Sequence, residues 1–242
     1  MDIDKVLVFN IKGKVAHFKK YYSNKSSLTY RIPTRTILMG MIASILKYPR
    51  DSYFNIFDPD KAKFGIKINK AGSPHFECMN YLKEGGGRTQ VRLQLLLPKK
   101  DMLEYKIYFT HNDSELVDKL AEKIKYNKLG YGIFLGQRQF RATVDYENLI
   151  DRVESREQYT GELHSLTYKD NIKNLDMQSN MKLTVNNMPV SFEKIEKGRK
   201  PLKMKEVCFE ENGNKIKGTF NEVVKVNNEY ISFYTPIQEG LI

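Results

Sequence analysis

The stretch YRIPTRT, Tyr30–Thr36, carries the residue types that bind a phosphate group. Arg31 and Arg35 supply guanidinium groups, and Thr34 and Thr36 supply hydroxyls, at the point where a helix is expected to begin. The first turn of a helix presents unpaired backbone N–H groups and the positive end of the helix dipole, so it favours an anion. A cation such as Arg35 is disfavoured there by about 0.3–1 kcal/mol, and a bound RNA phosphate would offset that cost. The alternative interpretation is that both arginines extend into solvent or pair with distant acids.

Basic residues are concentrated near the N-terminus and are interspersed with aromatic ones. Between Lys5 and Arg50 the chain has ten Lys or Arg and no Asp or Glu, within a total net charge of +11. Such a mixture is typical of surfaces that bind single-stranded nucleic acid. The alternative is a solvated basic face on a lysine-rich protein. The candidate contact residues in this region include Phe18, Lys19, Lys20 and Tyr30.

The sequence offers little for catalysis. Its histidines, His17, His75, His111 and His164, are not spaced as metal ligands, and no nucleophile elbow, phosphate-binding glycine loop or HExxH motif is present. We therefore expect no metal and no cofactor. The remaining enzymatic possibility is metal-independent RNA cleavage, with His17 as the best candidate base. The favoured alternative is that His17 is a contact or structural residue.

Two helices with buried stripes are predicted. In the first, apolar residues recur at helical spacing from Ile37 to Leu46, Thr34 is the N-cap, and Gly40 and Ser44 lie on a second face of small residues suited to close approach. The second helix is predicted from Ser114 to about Tyr126, with Gly130 as a candidate C-terminal stop.

The predicted elements alternate as strand, helix, strand, a hairpin-like excursion, strand, helix and strand up to about residue 150. This order predicts an α+β chain with a ferredoxin-like (RRM-like) βαββαβ domain. We place that domain at residues 1–155, with a β-hairpin insertion, or thumb, at about 75–105 around the glycines of KEGGGR. Residues 156–242 are predicted to form a small, mostly β C-terminal region.

The longest apolar stretch, Ile37–Leu46, is far too short to span a bilayer, and the N-terminal residues do not resemble a signal peptide. We therefore expect a cytoplasmic protein.

Three stretches, VFNIKGKVAHFKK, YRIPTRTILMGMIASIL and FLGQRQFRA, and more loosely NYLKEGGGRTQV, resemble the CRISPR-associated RAMP superfamily. The resemblance is to the Cas-five family, the Cascade subunit that caps the five-prime handle of CRISPR RNA, and most of all to its type I-B branch. It covers most of residues 1–150. It implies a ferredoxin-like domain with a thumb and a non-catalytic, RNA-gripping role in DNA interference. The implied partners are the CRISPR RNA handle, a Cascade backbone subunit and the large subunit that reads the PAM, with target DNA contacted indirectly.

Carried over residue by residue, the resemblance implies three sets of contacts. Arg88 and Gln90 become thumb contacts, and Gln137 and Arg138 a further contact with RNA or the large subunit. The handle contacts are His17, Phe18, Lys19, Arg31, Thr34 and Arg35, to which the basic and aromatic pattern adds Lys20, Tyr30 and Thr36.

Two other functions stay open. One branch of this family, type I-C, cuts precursor CRISPR RNA with a Tyr, a Lys and a His, but here Thr110 precedes His111 where a Lys-His pair would be expected. That difference argues against the alternative of a metal-independent endoribonuclease. The other possibility is an unrelated basic RNA-binding domain.

Overall fold

A computed structural model describes residues 3–23, 27–196 and 198–237, and this part of the chain is predominantly β. Its helices are α1 (Arg35–Leu46) and α2 (Ser114–Lys125), with a short 3₁₀ turn at Lys169–Asn171. The strands of the first part are β1 (Ile3–Gly13), β2 (Phe18–Lys19), β3 (Thr29–Tyr30), β4 (Ala62–Lys70), β5 (Gly72–Leu82), β6 (Arg88–Pro98), β7 (Leu103–His111) and β8 (Ala142–Arg156). Those of the second part are β9 (Tyr159–Leu163), β10 (Thr167–Tyr168), β11 (Ile172–Leu175), β12 (Leu183–Ile195), β13 (Gly198–Glu210), β14 (Ile216–Phe220), β15 (Val223–Val226) and β16 (Glu229–Ile231).

The main sheet is antiparallel, with the strand order β16-β15-β8-β1-β7-β4. Strand β1 lies at its centre and is buried on both faces. Leu7, Phe9 and Ile11 pack into the core that contains α1 and α2. Val6 and Val8 point the opposite way and pack against β15, β16 and the residues that follow them. Because both faces are covered, β1 is an almost continuous apolar run rather than an alternating one.

The C-terminal residues take part in the main sheet. Strand β15 pairs with the end of β8, and β16 pairs with β15. The rest of this region forms two small three-stranded sheets, β11-β14-β9 and β10-β13-β12. Strands β12 and β13 make a long hairpin that packs on α1. The division into two domains at residue 155 stays a prediction.

The predicted helix signals are largely confirmed. Thr34 is the N-cap of α1, and Asp113 caps α2 by accepting hydrogen bonds from the N–H groups of Glu115 and Leu116. The predicted stop at Gly130 is wrong, because α2 ends at Lys125 with Tyr126 as its C-cap, and the left-handed residue that follows is Asn127, with φ 52°. No helix among the described residues is long and apolar enough to cross a membrane.

Strands β5 and β6 form an isolated hairpin at the position expected for the thumb. The base of β6 is held to the body, because Leu93 and Leu96 are buried and Leu96 pairs with Ala16. The outer half is exposed on both strands. Its turn contains Gly85–Gly87, each with φ between 85° and 96°, a backbone region that favours glycine.

Arg35 is completely buried, which differs from the expectation that its guanidinium faces a phosphate. One terminal nitrogen donates to the carbonyl oxygen of Val190 at 2.5 Å, and the other donates to those of Phe57 and Ala62 at 2.8 Å each. The guanidinium also lies over the ring of Phe64, 5.1 Å from its centroid. Arg35 therefore joins the first turn of α1 to the loop before β4, to β4 itself and to the β12–β13 hairpin.

Replacing Arg35 with Ala should destabilise the protein by about 3–5 kcal/mol, because three buried carbonyl groups would lose a charged donor and a cavity would remain. Thermal or urea unfolding would measure the change. Arg88→Ala, at an exposed position on the thumb, should stay within about 0.5 kcal/mol of the wild type. Equal effects of the two substitutions would contradict a structural role for Arg35.

Removing the outer thumb should leave the fold intact. Tyr81 and Thr89 face each other across the hairpin, so Leu82–Arg88 can be replaced by an Asn-Gly turn without changing the register. Because the deleted residues lie outside the core, the free energy of unfolding should change by less than about 1 kcal/mol. Leu93→Ala, at a position 1% exposed, should cost about 2–5 kcal/mol. An insoluble deletion variant would show that the outer thumb supports the core.

Candidate nucleic-acid interface

The outward flank of α1 is the floor of a groove of about 730 Å³, which we call the main groove. One wall is the segment 129–138, here called the glycine loop, and the other is the β12–β13 hairpin. The residues that line it are His17, Lys19, Tyr21, Thr34, Thr36, Ile37, Gly40, Met41, Ser44, Tyr53, Tyr131, Gly132, Ile133, Phe134, Gly136, Gln137, Pro189, Phe192, Arg199 and Pro201. None of these is acidic, so the groove does not repel an anionic ligand.

Five of the residues predicted from the sequence come together in this groove: His17, Lys19, Thr34, Thr36 and Gln137. They come from three separate parts of the chain, the segment after β1, the start of α1 and the glycine loop. The sequence-based prediction of one shared surface is thus consistent with the geometry for these residues.

At the first turn of α1 the Thr34 hydroxyl accepts a hydrogen bond from the N–H of Ile37 at 3.4 Å, and the hydroxyl oxygens of Thr34 and Thr36 lie 2.9 Å apart. Thr36 is partly exposed to the groove. As in the first turn of any helix, the backbone N–H of Thr36 has no carbonyl oxygen in a preceding turn to which it can donate a hydrogen bond. The floor of the groove therefore presents hydroxyls and the positive end of the α1 dipole.

The glycine loop is fixed to the end of α1 by backbone hydrogen bonds. The N–H groups of Gly130 and Tyr131 donate to the carbonyl oxygens of Ile45 and Ser44 at 3.0 and 2.9 Å, and the Ser44 hydroxyl donates to the carbonyl of Gly132. A Cβ atom at Gly130 would lie 2.5 Å from the Ser44 carbonyl oxygen. Gly130 is therefore required for this close approach to the small face of α1, which explains why it does not serve as the stop of α2.

The far end of the glycine loop contacts the segment after β1. The N–H of His17 donates to the carbonyl of Leu135 at 3.0 Å. Gly136 has φ 96°, and a Cβ there would lie 1.9 Å from the carbonyl oxygen of His17. Gln137 is brought to the groove by this contact, whereas the neighbouring Arg138 points away from it and is exposed.

The opposite wall, which is the β12–β13 hairpin, is attached near its tip to the loop after α1. Arg199 forms a 2.6 Å ion pair with Asp51 and lies over the ring of Phe54, which in turn contacts Phe192. Because Asp51 neutralises Arg199, Lys19 is the lining cation that makes no ion pair with any described residue.

Four of the predicted contact residues make contacts within the protein and do not line the main groove. Phe18 and Tyr30 are buried, and the Tyr30 hydroxyl donates to the carbonyl of Asn187 at 2.8 Å. Arg31 forms a 3.0 Å ion pair with Glu211. Tyr30, Arg31 and the buried Arg35 attach the start of α1 to the C-terminal region, whereas Phe18 packs against the ring of Tyr105. Lys20 lies at the edge, over the rings of Tyr22 and Tyr30.

His17 is 1% exposed, and both of its ring nitrogens are occupied. Its Nδ1 lies 2.8 Å from the carbonyl oxygen of Gln94, and its Nε2 lies 2.9 Å from the hydroxyl of Ser27. A carbonyl can only accept, so Nδ1 carries the proton and Nε2 accepts from Ser27. Burial is the main cause that lowers the pKa of His17, and Lys19 lowers it further. These contacts describe a neutral, structural imidazole.

The predicted thumb contacts, Arg88 and Gln90, are exposed on the outer half of the β5–β6 hairpin and do not line the main groove. They face the same side of the hairpin as Arg92, since their spacing along β6 is two residues. The structure thus places the predicted thumb contacts apart from the predicted residues that line the main groove.

Sequence reasoning missed the aromatic side chains of the groove walls, notably Tyr131, Phe134 and Phe192. Tyr131 and Phe134 belong to the stretch LGYGIF, for which the sequence predicted no site, and Phe192 lies in the C-terminal region, where no contact was predicted. An exposed tyrosine between two glycines was the available signal for Tyr131. Hydroxyls, a helix N-terminus and aromatic rings suit a nucleotide strand, whereas the described residues contain no group of three potential metal ligands.

No family model and no curated protein matches this sequence. Solved structures do match it over nearly its full length. A chain of a CRISPR RNA-guided surveillance complex has a TM-score of 0.56 at 14% identity, with 88% of this chain and 91% of that chain covered. A CRISPR protein from Archaeoglobus fulgidus has a TM-score of 0.57 at 10% identity, with 93% and 98% covered.

A chain of the type III-B Cmr-β complex bound to cognate target RNA has a TM-score of 0.51 at 13% identity, with 87% of this chain and 86% of that chain covered. At these identities the likeness establishes the fold. This chain therefore has the mostly β fold found in CRISPR-associated proteins.

Acidification should destabilise the protein through His17. A lowered pKa in the folded state means that the unfolded chain binds more protons below the ordinary histidine pKa of about 6.5, so stability falls as the pH falls through that value. The melting temperature of the wild type should decrease between about pH 7.5 and 5, and the decrease should be shallower for His17→Asn. His75→Asn, at an exposed position on β5, is the control and should retain the wild-type slope. An unchanged slope in His17→Asn would contradict this assignment.

Proposed function

We propose that this chain is a non-catalytic, RNA-binding subunit of a type I CRISPR Cascade complex of the Cas-five kind, and that its main groove holds the five-prime handle of CRISPR RNA. The observation that carries the proposal is the main groove itself, where Lys19, Thr34, Thr36 and Gln137 meet on a fold found in CRISPR-associated proteins. The backbone and PAM-reading subunits would then be its protein partners.

The topology supports a ferredoxin-like assignment within this proposal. Along the chain the elements of the first part run β1-α1-β4-β7-α2-β8, with the β5–β6 hairpin inserted before β7. In the sheet the four strands lie in the order β8-β1-β7-β4 and pair antiparallel throughout. This strand order supports the proposal of a ferredoxin-like βαββαβ unit with both helices on one face.

A binding role is favoured over RNA cleavage because of the state of His17. Self-cleavage of RNA needs a base near the 2′-hydroxyl and an acid near the leaving oxygen. His17 is buried with both ring nitrogens engaged, and His111 is bonded to the carbonyl of Ile56 and the N–H of Asp113. Neither imidazole is placed to exchange a proton with an RNA strand in the main groove.

The test is to express the tagged chain in its native host, purify it under mild conditions and sequence the RNA that accompanies it. We expect one class of small RNA with a common, repeat-derived five-prime end, together with partner subunits. A heterogeneous RNA population would indicate a general RNA-binding domain. Cutting of repeat RNA at one position by the purified protein, lost on changing His17 or His111, would instead indicate an endoribonuclease.

Thr36→Asp distinguishes a ligand contact from a structural one. An acidic residue in the first turn should keep or raise the melting temperature, because it complements the helix dipole by about 0.3–1 kcal/mol. The same carboxylate would repel a phosphate, so RNA affinity should fall by about 1–3 kcal/mol. The control is Ser114→Asp, which adds the same charge to the first turn of α2, outside the main groove. Equal RNA affinity for the two variants would exclude the first turn of α1 as the binding site.

A further inference from the structure

The glycine loop has a second pocket on its other side. This pocket of about 490 Å³, here called the arginine pocket, is lined by Leu129, Tyr131, Gly132, Ile133, Phe134, Arg138, Arg141 and Ala142. Residues 131–134 also line the main groove. The two depressions therefore lie on either side of one shared wall, and we call them together the track.

The shared wall is rigid where it carries an exposed aromatic ring. The backbone on both sides of Tyr131 is bonded to Ser44 and Ile45, and further along the N–H of Ala142 donates to the carbonyl of Ile133 at 3.0 Å. Tyr131 is nevertheless 60% exposed. A large aromatic side chain on a fixed backbone at the crest between two pockets is suited to stacking, since little conformational freedom is lost on binding.

The charge of the arginine pocket is not neutralised by any residue that the structure describes. Arg138 and Arg141 are both exposed, and neither forms an ion pair with a described residue. No acidic residue lines the pocket. Arg31 and Arg199, by contrast, are each paired with a carboxylate. Guanidinium groups without acidic partners beside an exposed aromatic ring are the groups that bind phosphate and base of a single strand.

We propose that the arginine pocket binds the continuation of the same RNA strand, with Arg138 and Arg141 on its phosphates and Tyr131 stacked on a base at the crest. This inference rests on the proposed function, because it extends the strand that occupies the main groove. The strand reaches the arginine pocket without leaving the protein surface, since both depressions border Tyr131–Phe134. Arg141, which no sequence pattern had singled out, becomes a contact residue.

The test compares RNA oligonucleotides of increasing length, across the range of about 4–16 nucleotides that single-strand sites occupy, on the full chain. Wild-type affinity should rise in two steps, one for each depression. The Arg138→Ala/Arg141→Ala double variant should bind short RNA like the wild type and lose the second step. For long RNA its log–log salt slope should be shallower by about 1.4, from roughly 0.7 per lost phosphate contact. Lys119→Ala/Lys173→Ala, which removes two exposed charges elsewhere, is the control for net charge.

The outcomes separate this inference from the proposed function. If short RNA binds and the double variant keeps the wild-type salt slope at every length, the proposed role of the arginine pocket is overturned, while the proposed function of the main groove stands. An equal loss at all lengths would also overturn it, because the arginines would then act on the main groove or the fold. Absence of any RNA binding by the wild type would overturn both. Wild-type RNA affinity in the double variant, with loss of assembly with partner subunits, would assign the pocket to an acidic protein segment.

Tyr131 has its own prediction within this test. Tyr131→Phe should retain RNA affinity, because the ring that stacks is kept. Tyr131→Ala should lower it by about 5- to 150-fold, the range expected for one lost base–aromatic stack. Equal affinities of the two variants would remove the stacking role.

Discussion

The burial of one cation, Arg35, is the interaction on which the rest of this structure depends. A guanidinium group without water must have its donors satisfied, since an unpaired buried charge is very costly. Here the acceptors are carbonyl groups of the loop before β4, of β4 itself and of β12. Those acceptors can meet only if α1, the sheet edge and the second hairpin hold fixed positions. The floor of the main groove and one of its walls are thereby fixed together.

The segment Tyr30–Arg35 consequently has two sides with different roles. Its inner side attaches the C-terminal strands, through Tyr30 to Asn187, Arg31 to Glu211 and the carbonyl of Pro33 to the hydroxyl of Tyr234. Its outer side continues into the first turn of α1, where Thr36 and Ile37 are partly exposed and line the main groove. Folding of the C-terminal region and shaping of the groove are therefore coupled, because the same six residues contribute to both. This coupling answers the conflict posed by a cation in the first turn: protein carbonyls, rather than a ligand, compensate for it.

Much of this fold could be predicted from signals within short stretches of sequence, whereas contacts between residues far apart in the sequence could not be predicted. The Thr34 cap, the spacing of α1, the start of α2 and the glycine turn of the thumb each depend on a few adjacent residues. The acceptors of Arg35 lie 22, 27 and 155 positions away, so no window of sequence could show that this arginine faces inward. The same limit hid the pairing of β15 with β8 and the wall formed by β12–β13. In the candidate site, Lys19, Thr36 and Gln137 were predicted from their polar side chains, the helix start and the family resemblance, but Tyr131 and Arg141 required the shape of the surface.

Fewer basic side chains carry an unpaired charge than the composition of the chain suggests. Many of the basic residues are neutralised within the fold: Lys5 by Asp118, Lys12 by Asp145, Arg31 by Glu211 and Arg199 by Asp51. Lys19 in the main groove, and Arg138 and Arg141 in the arginine pocket, make no such ion pair among the described residues, and the track also carries hydroxyls and aromatic rings. Under the proposed function, these three cations would attract the phosphates of a strand, and the rings would stack on its bases. A surface that relied on the net charge of +11 alone would attract any polyanion, whereas stacking on these rings would add a preference for single strands.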